Sequence, residues 1–228
     1  MGVVVEDLRR VSAGLRMVLM GLALVVVNLV AAVAVVLAFG EPGQDPAAMV
    51  AALSRNHTVA FTVLIALNLL SNVLAITGKV FCLSVPTAAG ASQFILMAVA
   101  CSGIGLGLWI VGQVPDLDAS AVEFAQTSPL FTMVGFLFFL RFLRRLAAYL
   151  GSARLLAKAT QVQIATVALI VTYLVAALGS AALLLHAAMV VVALVLAIGA
   201  MVVFVLYAIL IRDLRRTTEI VAETTEPE

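Results

Sequence analysis

An apolar run ends in three closely spaced arginines at residues 129–151, PLFTMVGFLFFLRFLRRLAAYLG. The residues before Arg141 suit the interior of a lipid bilayer, where a charged side chain is costly. The stretch therefore either crosses a membrane with cations at its inner edge, or joins a short apolar anchor to a basic helix. The rest of the chain decides which of these it is and how many times the chain crosses.

The composition of the 228-residue chain is that of a membrane protein. Hydrophobic residues make up 64% of it, charged residues make up 11%, and the mean hydropathy is +1.23. Soluble domains are about half apolar and about a quarter charged, so the excess indicates membrane-spanning helices. The first apolar run, residues 17–39, is longer than the core of a signal peptide, and we expect it to be retained as a span.

Six segments are long and apolar enough to cross a bilayer, which takes about 20 residues of helix. The predicted spans cover residues 17–39, 58–78, 90–112, 124–143, 163–184 and 188–211. The sequence allows two different starts for the fourth span. A helix from near Ala119 would place Arg141 at the membrane boundary but would be kinked by Pro129. A helix that starts at Pro129, with Ser128 as its cap, avoids the kink and places Arg141 deeper.

The positions of lysine and arginine orient the spans, because these residues collect in cytoplasmic loops. With the N-terminus inside, all but one of the 13 basic residues fall on the inner face, and only Arg55 lies outside. We therefore predict an all-α, polytopic membrane helix bundle with six transmembrane helices and both termini cytoplasmic. Residues 1–216 form this single domain, and the acidic residues 217–228 are expected to be a disordered cytoplasmic tail.

Five cations gather where the fourth predicted span leaves the membrane: Arg141, Arg144, Arg145, Arg154 and Lys158. The first three share one helix face, and Gly151–Ser152 separates them from the other two. The simplest interpretation is that these side chains set the topology and extend to the inner surface. The alternative is that they bind the phosphate of anionic lipids or of a phosphorylated substrate, because guanidinium groups pair well with phosphate.

Amide side chains are the other polar feature of the predicted spans. Asn28 and Asn68 lie at similar depth in the first two spans, where they could hydrogen-bond, and Asn72 and Tyr173 could extend the cluster. The simplest interpretation is that these residues hold helices together. The alternative is that they line a polar binding pocket or an ion path.

Two further patterns concern the third span and the loop before it. Gly103 and Gly107 form a GxxxG pattern, which predicts a close contact with another span or another copy of the chain. Lys79 is the only charge in residues 78–92. We expect this inner loop to follow the membrane surface as a helix extension that ends before Pro86.

The sequence lacks several groups that enzymes, metal sites and proton-coupled transporters need, and this restricts the functions that it can have. No Asp, Glu, Lys or His falls near the middle of a predicted span, and no CxxC or HExxH motif occurs. We therefore expect no enzyme activity, metal, cofactor or nucleic-acid partner. We predict a structural, accessory or lipid-interacting protein whose partners are membrane lipids, anionic ones included. The alternative is a small transporter or channel-like protein that works as a homo-oligomer.

The composition also suggests a location for the protein. Ala, Val, Leu and Arg are abundant, which is typical of proteins from GC-rich bacterial genomes. Together with the predicted spans, this composition favours the bacterial cytoplasmic membrane.

Overall fold

A computed structural model describes residues 2–39, 55, 57–114, 118–180 and 186–224 of the chain. The helices in these ranges are α1 (Gly2–Phe39), α2 (Thr58–Phe81), α3 (Ser92–Val111), α4 (Ala119–Ala125), α5 (Ser128–Tyr149), α6 (Ala153–Ser180) and α7 (His186–Thr224). Two short 3₁₀ helices, Cys82–Ser84 and Thr87–Ala89, lie between α2 and α3. The helix extension predicted to end before Pro86 is therefore confirmed. Residues 181–185, between α6 and α7 in the sequence, lie outside the described residues.

Within the described ranges, five helical segments are long and apolar enough to cross a membrane: Val4–Phe39, Thr58–Ser84, Ser92–Val111, Ala153–Thr172 and Val195–Thr224. They are compatible with a multi-pass membrane protein, and the predicted all-helical bundle is confirmed. The predicted fourth span is not among the five. The helix at that position, α5, begins at Ser128 rather than at residue 124, and its second half carries three arginines.

The start and end of α5 follow from its local sequence. Pro129 lies in the first turn, where the N–H that proline lacks would have no helical partner. Ser128 was expected to cap the helix, but its hydroxyl instead donates a 2.8 Å hydrogen bond to the carbonyl oxygen of Gly105 in α3. The predicted break near residue 151 is confirmed, because Gly151 turns the chain with a φ of 67°.

The long helices pack in a ring in the order α1, α2, α3, α5, α6, α7 and back to α1. Small residues bring α1 and α2 into backbone contact. A Cβ atom added at Gly14 would lie 2.5 Å from the carbonyl oxygen of Gly78, and one added at Gly21 would lie 2.8 Å from that of Ser71. Larger side chains at these positions would therefore force the two helices apart.

The contact between α3 and α5 uses a different helix face from the predicted one. A Cβ atom added at Gly103 or Gly107 would meet nothing within 4 Å, whereas one at Gly105 would lie 2.7 Å from Oγ1 of Thr132 in α5. The close approach to another span is therefore made by Gly105, and the predicted GxxxG pair faces away from the described helices. Contact of that pair with another copy of the chain stays a prediction.

The buried core lies at one end of the ring. We call it the basic end: α1 up to Arg16, α5 from Arg141, α6 up to Lys158 and α7 from Arg212. The largest fully buried side chains are at or near this end, and they are Phe139, Phe142, Leu8, Leu15, Ile95, Leu140, Leu143, Leu146, Leu210, Ile211, Leu214 and Val11. Towards the other end the helices expose apolar side chains such as Leu37, which is 80% exposed. This gradient suits a membrane, because lipid covers exposed apolar side chains whereas water drives their burial.

The predicted disordered tail is helical over most of its length, so the prediction for residues 217–224 was wrong. α7 continues to Thr224, and residues 225–228 lie outside the described residues. Ala222 is buried with Val5 of α1, and Glu219 accepts a 2.8 Å hydrogen bond from the Ser12 hydroxyl. The prediction rested on the acidic composition alone, which does not reveal that the end of α7 packs against α1.

Candidate functional site

The five cations predicted as one site are divided between two clefts at the basic end. The first cleft, of about 280 Å³, lies between α5 and α6 and is lined by Arg141, Arg144, Arg145, Ala148 and Leu156. We call it the arginine cleft. The second cleft, of about 400 Å³, lies between α6 and α7 and is lined by Ser152, Arg154, Leu155, Lys158, Ile209, Arg212, Asp213, Arg216 and Thr217. We call it the α6–α7 cleft.

The arginine cleft carries positive charge without a nearby acid. Side chains on the opposite face of α5, such as Phe142 and Leu146, are fully buried, and this fixes the arginine face outward. The guanidinium of Arg141 lies 5.8 Å from the ring centre of Phe94, in a cation–π contact that orients it. Among the described residues, no carboxylate forms an ion pair with any of the three arginines. Their donors are therefore available to an anion.

The α6–α7 cleft contains one acid among four cations. Nζ of Lys158 lies 2.6 Å from Oδ2 of Asp213, and Nη2 of Arg212 lies 3.5 Å from its Oδ1. The contact of Lys158 with Asp213 joins the first turns of α6 to the last third of α7, whereas Arg212 and Asp213 are neighbours on α7. Arg154 and Arg216 also line the cleft, and neither forms an ion pair within the described part of the chain.

Arg212, Asp213 and Arg216 were not predicted as site residues, although the sequence carried a signal for them. The basic residues at 154–158 and 212–216 bracket a continuous apolar stretch from residue 164 to residue 211. That stretch is long enough for two antiparallel helices, and such a hairpin brings its two basic ends together.

Lys79 is buried inside the ring, although the inner segment that contains it was predicted to follow the membrane surface. It lies in the last turn of α2 and is only 8% exposed. Its Nζ donates a 2.7 Å hydrogen bond to Oγ of Ser102, in the middle of α3, and lies 5.5 Å from the ring centre of Phe139 in α5. Side chains on a helix lean towards its N-terminus, so the amine extends into the bundle. Lys79 itself lies at the end of α2, but its amine reaches the middle of α3.

The predicted asparagine cluster is only partly assembled. Nδ2 of Asn72 donates to the backbone oxygen of Asn68 at 2.8 Å and to its Oδ1 at 3.2 Å, so these two residues are joined within α2. Asn28 does not join them, and its Oδ1 is buried without a hydrogen-bond partner. The side chain of Tyr173 lies outside the described residues.

Two further clefts lie between α5, α6 and α7, the smaller one also bordered by Leu22 of α1, and both are apolar. They have volumes of about 590 and 230 Å³ and share Met133, Leu169, Ile170 and Ala200. Neither is lined by Asn28, Asn68 or Asn72, so the polar path predicted for a transporter gains no support from them. Within the described ranges, no group of three or more His, Cys, Asp or Glu residues is placed to hold a metal ion.

Comparison with protein-family models, curated proteins and solved structures finds no match. The function is therefore argued from the two basic clefts and the ring that positions them.

Proposed function

We propose that this chain is a non-enzymatic integral membrane protein that binds anionic phospholipid headgroups in the cytoplasmic leaflet. The arginine cleft is the observation that supports this function. It brings the guanidinium groups of Arg141, Arg144 and Arg145 to one side of α5, beside the apolar side chain of Leu156 and without an acidic partner among the described residues. Guanidinium groups bind phosphate through two parallel hydrogen bonds, and basic pockets on the cytoplasmic side suit anionic headgroups.

The position of the cleft along α5 suits a lipid headgroup. The 22 residues of α5 extend about 33 Å, close to the thickness of the hydrocarbon core. Arg141 lies about 20 Å along this helix and Arg145 about 6 Å further. If Ser128 lies at the outer boundary, Arg145 lies close to the inner edge of the hydrocarbon core, within reach of the headgroups.

We further propose that α5 is a sixth span and that both termini are cytoplasmic. α5 packs between α3 and α6 in the ring, and its length matches the bilayer. The basic end holds cations from α1, α5, α6 and α7, which the positive-inside rule assigns to the cytoplasm. In this arrangement Arg55 lies on the outer side.

Single introduced cysteines test this topology. A membrane-impermeant maleimide is expected to label Glu226→Cys only in inside-out vesicles and Arg55→Cys only in right-side-out vesicles. The two native cysteines, Cys82 and Cys101, are both buried, so the unmodified chain serves as the background. Labelling of both positions from the same side would contradict six spans with cytoplasmic termini.

A triple variant tests the lipid proposal. Native mass spectrometry of the protein released from nanodiscs that contain phosphatidylglycerol and phosphatidylcholine is expected to show bound phosphatidylglycerol. The variant Arg141→Gln, Arg144→Gln, Arg145→Gln is expected to retain at least tenfold less of it, because it removes all three guanidinium groups that line the cleft and can pair with the lipid phosphate.

The control variant removes the same charge from the basic end of α1. Arg9, Arg10 and Arg16 are exposed, and Arg10 pairs with Glu6 at 2.5 Å. Their replacement by glutamine is expected to leave lipid retention within twofold of the unmodified protein. If the two triple variants lose lipid equally, the loss is caused by the lower total positive charge, and the arginine cleft is not a specific lipid site.

A further inference from the structure

We propose that the α6–α7 cleft is a second anion site, which binds a phosphate group carrying two or more negative charges, such as a phosphomonoester or a pyrophosphate. The site goes beyond the proposed lipid function, because it uses other helices and other cations than the arginine cleft. Its ligand chemistry is shared by a lipid headgroup of the phosphatidic acid type and by a water-soluble phosphate.

The charge balance of the cleft favours a multiply charged anion. Arg154, Lys158, Arg212 and Arg216 supply four positive charges, and Asp213 supplies one negative charge, which leaves a net charge of +3. Both carboxylate oxygens of Asp213 are engaged, Oδ2 by Lys158 and Oδ1 by Arg212. The guanidinium groups of Arg154 and Arg216 remain without a carboxylate in the described part of the chain. Two guanidinium groups that pair with no carboxylate can each donate two hydrogen bonds to the oxygens of one phosphate group.

The cleft is held open by packing on both sides. Leu155 of α6 and Leu214 of α7 are buried in the core, so the two helices that carry the cations are fixed relative to each other. Asp213 adds to this arrangement, because its contact with Lys158 spans the two helices and both side chains are largely covered, at 31% exposure for Lys158 and 23% for Asp213. We therefore assign Asp213 a positioning role, in which it fixes Lys158 and also competes with a bound anion.

The size and position of the cleft suit a phosphate with a group attached. Its volume of about 400 Å³ is within the range of small-molecule sites, roughly 300–1,000 Å³. Lys158 and Asp213 lie at one level of the hairpin, whereas Arg154 and Arg216 each lie about one turn further out, away from the apolar part of the bundle. A ligand can therefore enter from the water side of the basic end.

Titration of the full chain tests the site with two probes. Inorganic pyrophosphate is added to the protein in neutral detergent, and dioleoyl phosphatidic acid is offered in phosphatidylcholine nanodiscs. The unmodified protein is expected to bind at least one of them. The variant Arg154→Gln, Arg216→Gln is expected to bind that probe at least tenfold more weakly, because it loses both uncommitted guanidinium groups.

Asp213→Asn gives an effect of the opposite sign. Removing the only carboxylate of the cleft frees Lys158 and Arg212 and raises the net positive charge, so this variant is expected to bind the same probe at least threefold more tightly. A cleft that only joins α6 to α7 would show no gain in binding when its ion pair is removed.

Two controls separate this site from the total charge of the basic end and from loss of folding. Arg10→Gln, Arg16→Gln removes the same charge from α1, where neither residue lines a cleft described above, and is expected to leave binding of the probe within twofold. If the glutamine pair at 154 and 216 does not fold, Arg154→Lys, Arg216→Lys replaces it. This pair keeps the charge, loses the forked geometry, and is expected to weaken binding three- to tenfold.

The outcomes distinguish the sources of the ligand and decide the proposal. If pyrophosphate binding depends on Arg154 and Arg216, the ligand is water-soluble. If only the binding of phosphatidic acid depends on these two residues, the ligand is a lipid headgroup. The proposal is overturned if the unmodified protein binds neither probe. It is also overturned if the double variants at Arg154 and Arg216 bind the probe as tightly as the unmodified protein does. Loss of phosphatidylglycerol in the arginine-cleft variants would still test the proposed lipid function separately.

Discussion

Replacing Gly78 by alanine is expected to lower the free energy of unfolding by about 1–3 kcal/mol. A Cβ atom at this position would lie 2.5 Å from the backbone oxygen of Gly14 and 2.8 Å from the backbone nitrogen of Val18. Both obstructing atoms belong to the backbone of α1, so no side-chain rotation can relieve the clash and the two helices must separate. The thermal unfolding midpoint of the purified protein in detergent measures the effect.

Gly103→Ala is the matched control for this prediction. It makes the same change in a helix, but a Cβ atom at Gly103 would meet nothing within 4 Å. Alanine is favoured over glycine inside a helix by roughly 0.5–1 kcal/mol, so this variant is expected to be as stable as the unmodified protein or slightly more stable. A loss at Gly103 as large as that at Gly78 would contradict the assignment of the effect to the contact between α1 and α2.

The glycines also show which parts of the packing could be predicted from sequence. Length and apolarity locate the helices, because a membrane helix satisfies its own backbone hydrogen bonds. The face that each helix turns to its neighbour depends on the neighbour as well. Gly105 is buried because Ser128 and Thr132 of α5 lie against it, whereas Gly103 and Gly107, with the better-known spacing, are exposed. A pattern within one helix could not distinguish these two faces.

The candidate sites were predictable to a similar extent. The spacing of Arg141, Arg144 and Arg145 places them on one face, and the structure brings them to one cleft. The separation of Arg154 and Lys158 into another cleft was missed, because it depends on α7 packing against α6, and the long apolar stretch between residues 164 and 211 was its only sequence signal. The helical tail escaped prediction for the same reason, since its composition is polar and its stabilising contacts are with α1.

Lys79 is the residue for which local reasoning failed most clearly. A single lysine in an inner loop normally extends to the membrane surface, and the sequence offered no acid that would hold it elsewhere. In the structure α2 continues through Lys79, and a helix directs this side chain towards its N-terminus, into the bundle. Lys79, which the positive-inside rule treats as a marker of the inner surface, is therefore buried because of the direction of its side chain.

Ser102→Ala is expected to lower the free energy of unfolding by about 1–3 kcal/mol, because it removes the hydroxyl that accepts from the buried ammonium of Lys79. The same change in a Lys79→Met background is expected to cost less than about 0.5 kcal/mol, since methionine leaves no polar group to satisfy. Thermal unfolding of the two single variants and the double variant gives the coupling between the residues directly.

The Lys79→Met variant by itself shows what the amine costs the fold. Methionine keeps a long unbranched side chain against Phe139 and removes a charge that has no carboxylate partner in the described part of the chain. It is therefore expected to be at least as stable as the unmodified protein, as with other buried charges replaced by apolar groups. Equal losses for Ser102→Ala in both backgrounds would contradict the contribution of this hydrogen bond. A more stable methionine variant would show that the chain carries its buried cation at a cost in stability, which is the behaviour expected of a functional group inside a membrane.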